Sequence, residues 1–162
     1  MPDPRGQYIQ SKFFFGSGCR GGFAIYERGS GDNFKRCLRV EARRTGHDAI
    51  ALELDPEDMA ELIAVLRGSR SSFHKTIKRP GASPKQISIH YNPQSKPPNA
   101  WVLVAQKGSD TLKIGFDSGI AWTVQYMAIA MLKPLYAELS DTCLWQMLSA
   151  TGRAAPSEQQ RG

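Results

Sequence analysis

In this 162-residue chain a short alternating apolar strand runs into an aspartate, and an apolar-striped helix follows at once, twice over. The first copy is Ile50-Ala51-Leu52-Glu53-Leu54-Asp55, followed by Met59, Leu62, Ile63 and Leu66. The second is Leu112-Lys113-Ile114-Gly115-Phe116-Asp117, followed by Ile120, Val124, Met127 and Met131. Setting Asp55 on Asp117 gives a period of 62 residues. Strand-like sequence rich in Arg, Lys and aromatic residues precedes each copy, so the expected fold is α+β, two similar antiparallel sheet-plus-helix halves (ββββα twice). A duplicated unit with its charge on the sheet side suggests a binding surface more than a catalytic pocket.

Charge sharpens that expectation. Counting Lys and Arg against Asp and Glu gives +4 for residues 1–48, −4 for 49–68, +7 for 69–113 and −1 for 114–162. The strand-rich stretches carry the positive charge and the helix-containing ones the negative, the footprint of a protein with one face toward a polyanion. No apolar run approaches the roughly 20 residues of a membrane helix, and the amino end lacks a signal-peptide pattern, so the expected setting is intracellular, cytoplasm or nucleoid, with an organelle left open. Cys19, Cys37 and Cys143 are odd in number and widely spaced. They fit neither a disulfide framework nor a metal-ligand spacing and read as reduced, small buried residues.

Along the chain, one domain is expected over residues 1–140, with pseudo-repeats at about 10–68 and 72–136. A short apolar helical segment (141–150, with Leu144, Trp145 and Leu148) and a disordered tail (151–162) follow. Phe13-Phe14-Phe15 leads into a Gly-rich connection (Gly16, Gly18, Gly21, Gly22) and then a strand over 23–28. The run 35–44 alternates Leu38, Val40 and Ala42 with Cys37, Arg39, Glu41 and Arg43, which predicts one dry and one charged face. Asp55-Pro56-Glu57-Asp58 starts a helix with a capping aspartate, proline at the first helical position and acid against the dipole. Its exposed acidic face (Glu57, Asp58, Glu61) should point away from nucleic acid. Further strands are predicted at 73–79, 85–91, 101–107 and 111–116, a proline-rich loop at 92–99, and a second helix from about 119 to 133.

The run 48–62 resembles the strand-to-helix junction of the positive-cofactor-four family of single-stranded DNA-binding coactivators, with residues 35–46 as counterpart of its basic strand and turn. A single chain carrying both copies is similar to the Whirly arrangement, over nearly all of residues 10–136. Ser118-Gly119 stands where the first half has Pro56-Glu57. The resemblance implies curved antiparallel sheets, helices on one side, single-stranded nucleic acid on the other, and a homo-oligomer, dimer or tetramer. Apolar surface on the second helix and the 141–150 segment, beyond what one sheet face needs, points the same way.

Single strands are held by cations on phosphates and by aromatic faces that stack on bases. The cations on expected strands or their edges are Lys12, Arg20, Arg28, Lys35, Arg39, Arg43 and Arg44, then Lys75, Lys78, Arg79, Lys85, Lys107 and Lys113. The stacking groups are Phe14, Phe23, Tyr26, Tyr91 and Trp101, each with core packing as its alternative.

Other chemistry is present only in outline. Gly16-Ser17-Gly18-Cys19-Arg20-Gly21 satisfies G-x-G-x-x-G, yet a strand and not a helix follows, so it reads as a hairpin. His47, His74 and His90 lack metal spacing and a neighbouring nucleophile; His90 either stacks on a base or is a plain exposed histidine. The carboxylates at 53–61 are accounted for by helix-start chemistry and not by a two-metal site. The expectation is a non-enzymatic single-stranded DNA-binding protein of little sequence specificity, acting in replication, recombination or transcription, with no cofactor and no metal. RNA binding on the same fold and a protein-interaction scaffold with a basic sheet are the alternatives. A small enzyme with a nucleotide pocket at the Gly-rich turn ranks last.

Overall fold

The structure is a computed structural model that describes residues 6–95 and 100–154, the last five by backbone alone. Its architecture is α+β: two four-stranded antiparallel sheets, each strand beside its neighbour in sequence and each sheet followed by a helix. The first sheet comprises β1 (Gln7–Gly16), β2 (Cys19–Arg28), β3 (Lys35–Arg44) and β4 (Ile50–Leu54). The second comprises β5 (Ser72–Ile77), β6 (Lys85–Tyr91), β7 (Trp101–Lys107) and β8 (Asp110–Phe116). Helix α1 (Met59–Leu66) follows β4 through a 3-10 turn at Pro56–Asp58; α2 (Ser118–Leu132) follows β8; α3 (Asp141–Ala154) ends the described chain.

Register fixes which side chains are dry. Phe23 pairs with Val40, Val40 with Leu52 and Leu38 with Leu54, so one face of the first sheet is continuously apolar. In the second sheet Phe73, Ile89, Leu103 and Ile114 lie in one such row. Both faces, α1, α2 and Leu144 of α3 form a single core. The helices cross over: α1 packs on β5 and β6 of the second sheet, and α2 on β1, β2 and β3 of the first.

Side chains from one half also close the helix ends of the other. The Gln125 amide, buried in α2, donates to the Leu66 carbonyl at 3.2 Å, and Trp101 Nε1 donates to Val65 O at 2.9 Å, beside the bond that carbonyl accepts from Gly68 N. Arg36 of β3 donates to the Ala130 and Met131 carbonyls of α2 (3.0 and 2.9 Å) and pairs with Glu27, placing a cation on the negative helix end. At the helix starts, Asp117 Oδ1 accepts from Ile120 N, and Asp55 N donates to Asp58 Oδ2.

Two expectations change in detail. The Gly-rich connection is a two-residue hairpin turn, Ser17-Gly18, with Gly18 at φ +68°; Gly21 and Gly22 lie within β2. They are glycines because rings lie over them: a Cβ at Gly21 would stand 2.3 Å from Phe14, and one at Gly22 2.8 Å from Phe13. The apolar segment at 141–150 extends as helix α3 to Ala154, into the start of the expected tail. The rest of that tail and residues 96–99 of the proline-rich loop lie outside the described residues. On α2, Trp122 and Tyr126 are exposed, the surface on which expected self-association rests.

Candidate nucleic-acid interface

The outer face of the first sheet is built from alternate residues of its strands: Tyr8, Phe13 and Phe15; Arg20 and Tyr26; Arg39 and Arg43. Its exposed rings come from β1, with Phe15 at 74% the most open, then Tyr8 at 54% and Phe13 at 41%. The Arg20 guanidinium lies 4.6 Å from the Phe13 ring centre. Arg39 lies over Tyr26 at 5.5 Å, and Tyr8 tilts against the same ring, so Tyr26 is buried and serves as a support. Of these groups Tyr8, Phe13, Arg20, Arg39 and Arg43 line a shallow depression of ≈ 310 Å³ with Gly22, Ala24 and Glu41.

Arg39 also belongs to a larger cleft of ≈ 660 Å³, where β4 faces the end of the second sheet. The cleft carries Arg28, Lys35, Arg39, Lys75, Arg79, Lys85 and Lys107 against Glu53 and Asp55. The depression and the cleft therefore form one basic track with Arg39 at the join. Arg39 Nε is buried without a hydrogen-bond partner among the described residues, 3.9 Å from Glu41 Oε2.

Part of the cleft is internally paired. Arg28 grips Glu53 through two hydrogen bonds of 3.2 and 3.1 Å. Lys35 bridges Glu53 and Asp55 at 3.0 Å each, and Lys75 bridges Asp55 and Asp58 at 3.2 and 2.5 Å. Burial pushes the Glu53 and Asp55 carboxyls up, but the hydrogen bonds and charges of these cations outweigh it and hold both below the usual carboxylate range. Burial lowers Lys35 and Lys75, and their carboxylate partners more than restore them, so both ammonium groups lie above the ordinary lysine value. Arg79, Lys85 and Lys107 make no ion pair among the described residues.

The structure gathers Arg20, Arg28, Lys35, Arg39, Arg43, Lys75, Arg79, Lys85 and Lys107 of the expected residues on the track. Lys78 stands beside it on the 78–83 loop. Others are corrected. Phe14 and Phe23 are buried in the core, at 5% and 0% exposure, and offer no face to a base. Tyr91 and Trp101 turn to the inner side, where they pack on each other and on Phe116 around the end of α1. Lys12 shares the inner face with Phe23, and Arg44 is tied to Asp110 and the Thr111 carbonyl. Lys113 stands on the outer face of the second sheet, away from the cleft. The acidic helix start is not remote either, since Asp55 lines the cleft and Asp58 holds Lys75.

The residues missed are Tyr8, Phe13 and Phe15. Three consecutive phenylalanines hide which parity faces out, and the pairing of Phe14 with Gly21 decides it. Buried Cys37 is inert, its thiol pushed up to about 12 by burial and the nearby Glu53 charge. Among the described residues no cluster of His, Cys, Asp and Glu is arranged to hold a metal ion, and no helix is long and apolar enough to cross a membrane. In comparison with known proteins, no family model and no curated protein matches this chain.

Proposed function

We propose that this protein binds single-stranded nucleic acid, DNA first and RNA as the alternative, along the track described above, without acting on it chemically. The observation that carries the reading is the continuity of exposed rings and cations through Arg39: Tyr8, Phe13 and Phe15 lie at one end and Arg79, Lys85 and Lys107 at the other. Stacking is worth roughly 1–3 kcal/mol per base on such rings. The internal ion pairs do not block the cleft. Arg28 is 44% exposed, so a phosphate can reach its guanidinium from the solvent side while Glu53 holds the other.

Binding of a labelled oligo-dT, in competition with duplex DNA and with an RNA of equal length, tests the reading. Single strands should be preferred and affinity should fall steeply with salt. Arg39→Glu with Arg43→Glu should weaken binding strongly and reduce the log–log salt slope by about 1.4, two contacts at roughly 0.7 each. Equal affinity for single strand and duplex, or a salt slope unmoved by the double variant, would overturn it. The first of these outcomes would favour the acidic protein partner of a scaffold.

A further inference from the structure

The second sheet has an outer face of its own, and its chemistry differs from the first at equivalent positions. Superposing the pairs Leu38–Leu54 and Trp101–Phe116, which precede each helix, places Val102 where the first sheet has Arg39 and Gln106 where it has Arg43. By the same register His90 replaces Ala24 and His74 replaces Phe13. Among the described residues the titratable groups on this face are His74 from β5, His90 from β6 and Lys113 from β8; β7 contributes Val102, Val104 and Gln106, and no Asp or Glu stands on it.

The two imidazoles form a pair. Their ring centres lie 5.3 Å apart at 77°, and His90 Nε2 lies 3.0 Å from the hydroxyl of Ser88, itself nearly buried. A protonated His90 donates Nε2–H to that hydroxyl and keeps Nδ1–H for another acceptor. His74 is exposed and brings a second cation. With both imidazoles protonated the face carries three positive charges, and among the described residues no carboxylate stands on it to cancel them.

We propose that this face is a second anion-binding surface, taking phosphate groups of a nucleic-acid strand when His74 and His90 are protonated. The proposal rests on the nucleic-acid reading above, which it extends to a surface the basic track does not include. Without a ligand the pair resists its second proton. Burial, then the charges of His74 and Lys113, hold His90 below the ordinary histidine value. A phosphate removes the repulsion, so binding draws in protons, and by linkage acid strengthens binding. Glu53 and Asp55 of the cleft do not compete for this effect, because both are held below the usual carboxylate range.

The test measures oligo-dT affinity and salt slope at about pH 7.5 and 5.5, on either side of the ordinary histidine value, with the full chain. The slope of the wild type should steepen by about 1.4 in acid, two added contacts at roughly 0.7 each. NMR titration should show the His74 and His90 resonances moving to higher pKa when the oligonucleotide is added. His74→Gln with His90→Gln should keep the neutral slope and lose the acid gain, whereas His47→Gln should keep both. Arg39→Glu with Arg43→Glu should weaken neutral binding strongly and retain the acid gain. Steepening that survives in the double histidine variant, or histidine pKa values unmoved by the oligonucleotide, would overturn the proposal. A wild type that fails to bind at pH 7.5 but binds in acid, and loses that binding in the double histidine variant, would remove the first-sheet reading and leave this one standing.

Discussion

Adjacent glycines in β2 have opposite neighbours, and this separates core packing from surface fit. Gly21 faces inward beneath the buried Phe14 ring, which has nowhere to move. Gly21→Ala should therefore cost about 1–3 kcal/mol, the usual penalty of overfilling a packed site. Gly22 faces outward beneath Phe13, which is 41% exposed and can swing into solvent. Gly22→Ala should change stability by less than about 1 kcal/mol, because the reduced freedom of the unfolded chain offsets the displaced ring. Urea denaturation of the two variants measures the difference, and equal losses would contradict the assignment of faces. Gly22→Ala should also weaken single-strand binding by disturbing Phe13, while leaving the fold intact.

At the scale of elements, the chain of pairs from Arg28 through Glu53, Lys35, Asp55 and Lys75 to Asp58 ties β2, β3 and β4 to β5. The folded pKa values of Glu53 and Asp55 lie below their unfolded values, near 4. Their stabilisation is therefore present above about pH 4 and lost as pH falls through the folded values. Urea midpoints from pH 7 down to 2.5 should decline in that range, and less steeply in Glu53→Gln; a decline of equal slope in that variant would contradict the assignment. Much of this level was legible beforehand. Alternation placed Leu38, Val40 and Ala42 on one side, and Asp55-Pro56 started the helix turn where helix-start chemistry demands. Phe13 to Phe15 carry no alternation, so their outward members were not readable. Trp101 and Tyr91 were misplaced for a related reason: a large ring with a polar atom suits a base or a helix carbonyl equally, and only tertiary packing chooses Val65.

At the scale of the whole molecule, local patterns gave each half its order of strands and helix, but not which sheet each helix would cover. An apolar stripe states that a helix needs a sheet; it does not name one. The second-half cations depend on the same tertiary choice. Lys75, Lys85 and Lys107 share the inner parity of their own sheet and reach the track only because its end meets β4 of the other half. The crossed helices also bear on how the chain assembles. If each repeat is capped by the other's helix, neither is a self-sufficient folding unit, despite having its own strands and its own helix. Severing the backbone at Ser69 should yield two fragments that are each largely unstructured alone. Mixed in equal amounts, they should recover native circular dichroism and oligonucleotide binding together, in one concentration-dependent step. A fragment that melts cooperatively by itself would show that the repeats are independent.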